Sequence, residues 1–292
     1  MTGATEDPIV IVGMARTAMG SFQGVLASMT APDLGSQAIK AAVSRAGLKP
    51  DDVSEVLMGC VLPAGQGQAP ARQAARFGGL PDSVPCTTVN KMCGSAMEAV
   101  ILGHDMLVAG SHDVVVAGGM ESMTNAPYLL PKARAGYRMG HQTVVDHMFC
   151  DGLEDAYEKG RLMGTFAEDC AAKFGFTREE QDRYALASLS RALAANQDGT
   201  FAWEIAPVTV TGRKGEATIA ADEQPAKASP EKIPTLKPAF RKDGTVTAAN
   251  SSSISDGAAA LVLTRRSTAE RRGLAPLAVV VAHAVHAAAP GD

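Results

Sequence analysis

Residues 89–100 read VNKMCGSAMEAV, a pattern that predicts a buried strand ending at a turn and followed at once by a helix. The turn carries a cysteine, Cys93, and two small residues, Gly94 and Ser95, which leave room beside the thiol. The start of a helix offers unpaired backbone N–H groups and the positive end of the helix dipole, and both favour a thiolate. We therefore interpret Cys93 as a nucleophile. For a cysteine outside this context, a small buried core residue is the more frequent role.

Strands and helices alternate on both sides of this stretch. Within the first 120 residues the apolar patterns predict strands at residues 8–15, 53–59, 85–89 and 113–118, separated by helices at residues 30–46, 69–77 and 95–109. Short apolar strands that alternate with helices are typical of a largely parallel sheet with both faces covered. The predicted fold class is therefore α/β.

The alternation stops after Gly119, and long loops and isolated helices follow. Within this inserted region residues 177–196 form the clearest helix, because Thr177 and Glu180 are spaced as a capping box. Residues 257–264 are again strand-like and are expected to rejoin the first sheet. A short helix after Ser267 and an apolar strand at residues 277–287 complete the predicted elements.

Composition and charge exclude several classes of protein. The 292 residues are 46% hydrophobic and carry a net charge of −4, so the chain can bury a large core but has no broad basic surface for nucleic acid or anionic membranes. No window is apolar enough to span a bilayer, and the acidic first residues do not form a signal peptide.

The five cysteines are an odd set without a CxxC pair, which argues against a disulfide framework and a structural zinc site and favours a reducing cytoplasm. No group of His, Cys or carboxylate residues has metal-ligand spacing, so we expect no metal site and no metal-dependent hydrolase.

Five motifs occur along the chain: ART at residues 15–17, NKMCGSA around Cys93, VVAGGMESMTNAPYLL from Val115, LMGTFAE from Leu162, and LKPAFRKDGTVTAANSSSISDGAAA from Leu236. By their order and spacing, the chain resembles the thiolases, a family that includes acetyl-CoA C-acetyltransferases and 3-ketoacyl-CoA thiolases. The resemblance implies a layered α/β/α fold with an inserted loop domain. The long insertion and the GGMES and LKPAF segments argue against another enzyme of the same fold, such as a condensing ketoacyl synthase.

The resemblance also implies an activity. Cys93 would take an acetyl group as a thioester, so that acetoacetyl-CoA synthesis or 3-ketoacyl-CoA thiolysis proceeds in two half-reactions with ping-pong kinetics. The backbone N–H of Cys93 is similar to one donor of the family's oxyanion hole. Coenzyme A thioesters would be substrates, and no permanently bound cofactor is expected. Family members assemble as homodimers or homotetramers.

By the same resemblance, the loop domain would carry the coenzyme A contacts. Six residues match the positions that line the pantetheine arm: Leu153, Leu162, Met163, Phe240, Ala248 and Ser252. For each apolar member alone, ordinary core packing is the alternative. Leu162 stands where many short-chain thiolases have His, and Ala226 where some have Arg.

Several polar residues of this region have competing interpretations. Lys227 could contact the nucleotide in place of the arginine or could be a solvated surface lysine. Asn250 is interpreted as a turn former rather than a ligand. A basic loop could draw in the anionic coenzyme, form a subunit contact or be solvated; it contains Lys132, Arg134, Tyr137 and Arg138.

The resemblance predicts four segments: an N-terminal domain at residues 1–120, the loop domain at 121–249, a return strand and helix at 250–272, and the start of a truncated second half at 273–292. The family's NEAF, GHP and CxGGG motifs do not occur in these residues, and none of the six histidines is assigned to catalysis. We therefore expect the isolated chain to have little or no Claisen activity. The alternative is a non-catalytic shortened thiolase that acts as an interaction or oligomerisation partner.

Overall fold

A computed structural model describes residues 7–212 and 215–291 of the chain. Its strands are β1 (Ile9–Arg16), β2 (Gly20–Ser21), β3 (Glu55–Gly59), β4 (Cys86–Val89), β5 (Val114–Ser122), β6 (Tyr128–Leu129), β7 (Val145–Asp146), β8 (Val208–Gly212), β9 (Gly215–Ile219), β10 (Ser255–Arg265) and β11 (Ala278–Val279). Its α-helices are α1 (Ala31–Arg45), α2 (Pro70–Phe77), α3 (Ser95–Val108), α4 (Met163–Phe174), α5 (Arg178–Asp198), α6 (Glu223–Lys227) and α7 (Arg266–Arg272).

The central sheet has the strand order β11-β1-β10-β5-β3-β4, and β2 extends it beside β10. β3 pairs in parallel with β4 and with β5, whereas β10 lies antiparallel between β1 and β5. These pairings give β1 to β5 one common direction, against which β10 and β11 run. The predicted α/β class is confirmed, with a mixed sheet in which most strands share a direction.

Alternating side chains of β5 show how the layers are built. Val114 and Val116 are fully buried on one face of the sheet, in the core that includes Leu34 and Ile39 of α1 and alanines of α2. Val115 and Ala117 point to the opposite face and pack with Ala99 and Leu107 of α3. Since successive residues of a strand point to opposite faces, this pattern produces the predicted α/β/α layers.

Side-chain caps confirm two of the predicted helix starts, those of α1 and α5. The Thr30 side chain accepts a hydrogen bond from the Asp33 N–H, and the Asp33 carboxylate accepts one from the Thr30 backbone N–H, which closes a capping box at α1. Thr177 and Glu180 form the same motif at α5, and Gly199 ends that helix with a left-handed φ of 81°. Such local signals locate helix ends because they satisfy backbone groups that the helix itself leaves unpaired.

The predicted strand at residues 277–287 is wrong for most of its length, because only β11 is a strand. Val279 pairs with Val10, and the Val280 N–H reaches the Ile9 carbonyl at 2.9 Å. β1 begins at Ile9. In the described part of the chain, the residues that follow Val280 therefore lie beyond the end of β1 and have no strand to pair with. The four predicted segment boundaries remain predictions.

The inserted region contains two pairs of antiparallel strands that the sequence patterns did not predict, β6 with β7 and β8 with β9. The ART motif holds this region to the sheet. The Arg16 guanidinium pairs with Glu204 at 2.7 Å and with Asp222 at 2.8 Å, and the Asp222 carboxylate also accepts the Met19 N–H. Across the described residues, no helix has the length and apolar character needed to cross a membrane.

Candidate active site

Cys93 lies in a tight turn between β4 and α3, and its side chain is exposed. The preceding residue, Met92, has a left-handed φ of 50°, which is unfavourable for a residue with a side chain. Hydrogen bonds hold the turn in this shape. Asn90 Oδ1 accepts the Met92 N–H at 3.0 Å, and Ser95 Oγ accepts the Lys91 N–H at 2.8 Å while donating to the Met92 carbonyl.

Two glycines allow the first turn of α3 to lie directly on the sheet. A Cβ added to Gly59 would be 2.7 Å from the Ala96 backbone nitrogen, and one added to Gly119 would be 2.7 Å from the Ala96 Cβ. Gly59 and Gly119 are paired neighbours on β3 and β5. The glycine pair therefore determines how closely the helix start, and with it Cys93, approaches the carboxyl ends of the parallel strands.

No side chain caps the start of α3, where Gly94 is the N-cap residue. Within the described part of the chain, the N–H groups of Ala96 and Met97 have no acceptor. Unpaired amides at a helix start attract negative charge. The strand, turn and helix predicted from residues 89–100 are thus present, with an exposed thiol in the turn. The role of Cys93 as a nucleophile remains a prediction.

A second cysteine, Cys60, follows β3 at the same edge of the sheet but is buried, with 1% exposure. Its Sγ lies 3.5 Å from Oε1 of Glu121. Burial and the neighbouring Glu121 carboxylate raise the pKa of Cys60 to about 12. Burial also raises the pKa of Glu121, although that carboxylate accepts the N–H groups of Val61 and Leu62. Cys60 is therefore a structural thiol.

These environments predict different alkylation rates for the two thiols. A pKa raised from 9.0 to about 12 lowers the thiolate fraction at pH 8 about 10³-fold. We expect iodoacetamide to modify Cys93 rapidly in the folded protein and Cys60 only after unfolding. Peptide mapping by mass spectrometry measures both rates. Equal labelling of Cys60 and Cys93 in the folded chain would contradict the assignment, and Cys60 in denaturant provides the control.

A cleft with a volume of about 780 Å³ lies between α5, α6 and the loop that precedes β10. Its lining includes Tyr184, Ser188 and Leu189 of α5, Gln224 and Pro225 of α6, Ser229, Lys232, Ile233 and Leu236 from the proline-rich segment, and residues 248–253. A cleft that is mainly apolar and has a few polar groups suits a ligand with both apolar and polar parts.

The structure divides the six predicted coenzyme A contacts between two places. Ala248 and Ser252 line the cleft. The other four, Leu153, Leu162, Met163 and Phe240, lie around the start of α4. There a bridge joins Glu154 to Leu162, and the Phe240 ring covers Gly164 so closely that an added Cβ would be 2.3 Å from it. Their role in binding remains a prediction.

Two anchors hold the loop between these places, and sequence reasoning missed the first of them. The buried Glu168 carboxylate of α4 accepts the N–H groups of Thr245 and Val246 at 2.9–3.0 Å. Asn250 accepts the Thr247 N–H and donates to Asp182 of α5, which agrees with its interpretation as a turn former. A glutamate within the LMGTFAE motif was the available signal for the first anchor.

The basic residues of the inserted region have different environments. Lys227 forms an ion pair with Glu223 and is 57% exposed, which favours the solvated interpretation. Lys132, Arg134 and Arg138 are exposed. Lys232, which the sequence interpretation did not select, lines the cleft and places a cation where an anionic ligand could reach it.

The described histidines do not hydrogen-bond to Cys93. His147 contacts Asp151 at 2.6 Å, and His104 and His283 contact each other and Asp105. The last group brings together residues 179 positions apart, so a search for ligand spacing along the sequence could not have found it.

Comparison with known proteins identifies the family of the chain. A family model described as "Thiolase, N-terminal domain" matches residues 9–267. An acetyl-CoA acetyltransferase from Chromobacterium violaceum is 49% identical over 284 residues, which are 97% of this chain and 72% of the relative. Acetyl-CoA acetyltransferase 2 from Arabidopsis thaliana is 52% identical over 275 residues, which are 93% of this chain and 68% of the relative.

A solved structure gives the same result for the fold. The structure of an acetyl-CoA acetyltransferase from Syntrophomonas wolfei superposes with a TM-score of 0.88 at 43% sequence identity, covering 93% of this chain and 68% of that one. The family match spans most of the chain, and both relatives are acyltransferases by name. The chain therefore belongs to the thiolase family of acyltransferases.

Proposed function

We propose that this chain transfers acetyl groups between coenzyme A molecules through a thioester on Cys93. The complete reaction would be acetoacetyl-CoA synthesis or 3-ketoacyl-CoA thiolysis. The observation that carries the proposal is the exposed Cys93 thiol at the uncapped start of α3. The names of the relatives, which are acetyl-CoA acetyltransferases, support the choice of acyl donor. A coenzyme A thioester is thus a substrate, and no permanently bound cofactor is part of the proposal.

The first half-reaction needs only a nucleophile and a place for negative charge. The Cys93 thiolate attacks the carbonyl carbon of acetyl-CoA, and a carbon–sulfur bond forms as the carbonyl oxygen takes up the charge. When the tetrahedral intermediate collapses, the bond to the coenzyme sulfur breaks and the coenzyme leaves as a thiolate. Backbone N–H groups at the turn are the proposed donors to the oxygen, among them that of Cys93.

The cleft is the proposed site of the coenzyme's longer parts. Its apolar walls suit the pantetheine methylenes, Ser252 can exchange hydrogen bonds with a pantetheine amide, and Lys232 can pair with a phosphate. The four residues around the start of α4 complete the proposed contacts: Leu153, Leu162, Met163 and Phe240. The loop anchored by Glu168 and Asn250 connects both groups, so the two halves of the site are held at a fixed separation.

The second half-reaction makes a further demand, since a group must remove a proton from the α-carbon of the second acetyl-CoA. Among the described residues, His104, His147 and His283 are paired with other groups, and no histidine hydrogen-bonds to Cys93. We therefore propose that the 292 residues support acetylation and its reversal but little Claisen condensation. Self-association as a dimer or tetramer and a reducing cytoplasmic location, which keeps the thiol free, complete the proposal.

Acetylation by acetyl-CoA tests this proposal directly. We expect intact-mass and peptide analysis to show one acetyl group, on Cys93. We expect Ala248→Phe, which fills the cleft, to slow this acetylation about tenfold, equivalent to 1.4 kcal/mol. The same variant should react with iodoacetamide at the unchanged rate, because that reagent does not need the cleft.

An alanine outside the cleft provides the matched control. Ala194 is an exposed alanine that does not line the cleft, so Ala194→Phe is expected to acetylate like the parent protein. An acetyl group found elsewhere than on Cys93 would refute the proposed nucleophile. Equal acetylation of both phenylalanine variants would refute the proposed coenzyme site and leave the nucleophile standing.

A further inference from the structure

Two imidazoles and one carboxylate converge near the end of α3. His104 Nδ1 lies 2.9 Å from Asp105 Oδ1, His283 Nε2 lies 2.9 Å from the same oxygen, and the two nitrogens are 3.3 Å apart. The rings meet edge to face, with centroids 4.8 Å apart. We propose that His104, Asp105 and His283 form a binding site for a divalent transition-metal ion of the Zn²⁺ type, which fastens residues 280–283 to α3.

The separations between the three donor atoms fit such an ion. Ligands about 2.05 Å from a tetrahedral zinc ion are about 3.3 Å apart, close to the observed 2.9–3.3 Å. A small adjustment of side-chain torsions opens the group enough to admit the ion. Two imidazoles and a carboxylate are the ligand types that Zn²⁺, Co²⁺ and Ni²⁺ share, whereas Mg²⁺ and Ca²⁺ prefer oxygen alone.

The contacts within the group also favour a cation. The two imidazole nitrogens and the carboxylate oxygen face one another, and protons can bridge only some of these contacts. A single metal ion between the three atoms would bind all of them.

The surroundings favour a structural clip over a catalytic centre. The Asp105 side chain is 56% exposed and that of His283 is 28% exposed, so an ion can enter from solvent and water can complete its coordination. None of the three residues lines the cleft. His283 belongs to a segment without regular structure that follows β11, while His104 and Asp105 belong to the helix that begins beside Cys93. Binding would thus couple the end of the sheet to α3.

Cobalt titration of the full 292-residue chain tests the site. We expect one Co²⁺ per chain with visible d–d absorption and without the intense near-ultraviolet band of a thiolate ligand, which excludes Cys93. Zn²⁺ should displace Co²⁺ and, at about 100 times its dissociation constant, raise Tm by roughly 5 °C. His283→Gln and Asp105→Asn are each expected to weaken binding by about tenfold or more.

His286→Gln is the matched control, because His286 is an exposed histidine three residues further along the same segment, and it should bind Co²⁺ like the parent. Circular dichroism establishes that each variant is folded, and the two ligand variants lie on different elements, so one unstable variant does not decide the result. The proposal is overturned if the native chain gives no d–d band, if His283→Gln and Asp105→Asn retain full affinity, or if the band disappears in His286→Gln.

Discussion

Replacement of Cys93 by alanine is expected to reduce acetyl transfer by about 10³-fold or more, because the reaction then has no atom on which to form the thioester. Exchange of label between acetyl-CoA and free coenzyme A measures the first half-reaction and its reversal without requiring condensation. We expect the parent chain to catalyse this exchange without a second substrate, as ping-pong kinetics requires. The exposed side chain contributes little packing, so the free energy of unfolding of the variant should lie within about 0.5 kcal/mol of that of the parent.

Cys170 provides the matched control for this experiment. It is also an exposed free cysteine, but it lies inside α4, seven residues after the first residue of that helix, Met163, whereas Cys93 lies just before the start of α3. Cys170→Ala should leave the exchange rate unchanged. Retention of full exchange by Cys93→Ala, or its loss in Cys170→Ala, would assign the chemistry to a different thiol.

The sequence predicted the turn that carries Cys93 and the helices and strands around it because the signals involved are local. The capping boxes at Thr30 and Thr177 use residues three positions apart, and the strand–turn–helix around Cys93 lies within twelve residues. An apolar run is less informative, since residues 277–287 have strand composition along their whole length. They form a strand only where they pair with β1. This pairing depends on the assembled sheet, which a local pattern does not describe.

The sequence patterns could not predict which residues, distant along the chain, come together in the fold. Six residues interpreted as one binding surface lie in two neighbourhoods, because Ala248 and Ser252 face α5 and α6 while the others surround the start of α4. Lys232 was overlooked because a lysine in a proline-rich segment has no distinguishing local pattern. The contact of His283 with α3 depends on where β11 ends, so only the folded chain reveals it.

Substitution of Gly59 by alanine is expected to lower both stability and acetyl transfer. The added Cβ would lie 2.7 Å from the Ala96 nitrogen and from the Ser95 carbonyl carbon, which are backbone atoms of α3 and can move only if the helix moves. Overpacking of this kind costs about 1–3 kcal/mol, and a 1 Å displacement of a reacting group costs roughly 10²-fold in rate. Chemical denaturation and the label-exchange assay measure the two effects.

Gly94→Ser is the control, because it changes the start of α3 without adding a contact with the sheet. A Cβ on Gly94 would meet only the Lys91 carbonyl oxygen, at 3.4 Å, and serine is a preferred N-cap residue, so its stability should equal or exceed that of the parent. If Gly59→Ala unfolded and exchanged label like the parent, the glycine pair would not position the thiol. A loss of stability in Gly59→Ala without a loss of rate would likewise show that the turn, held by Asn90 and Ser95, places Cys93 independently of the sheet beneath it.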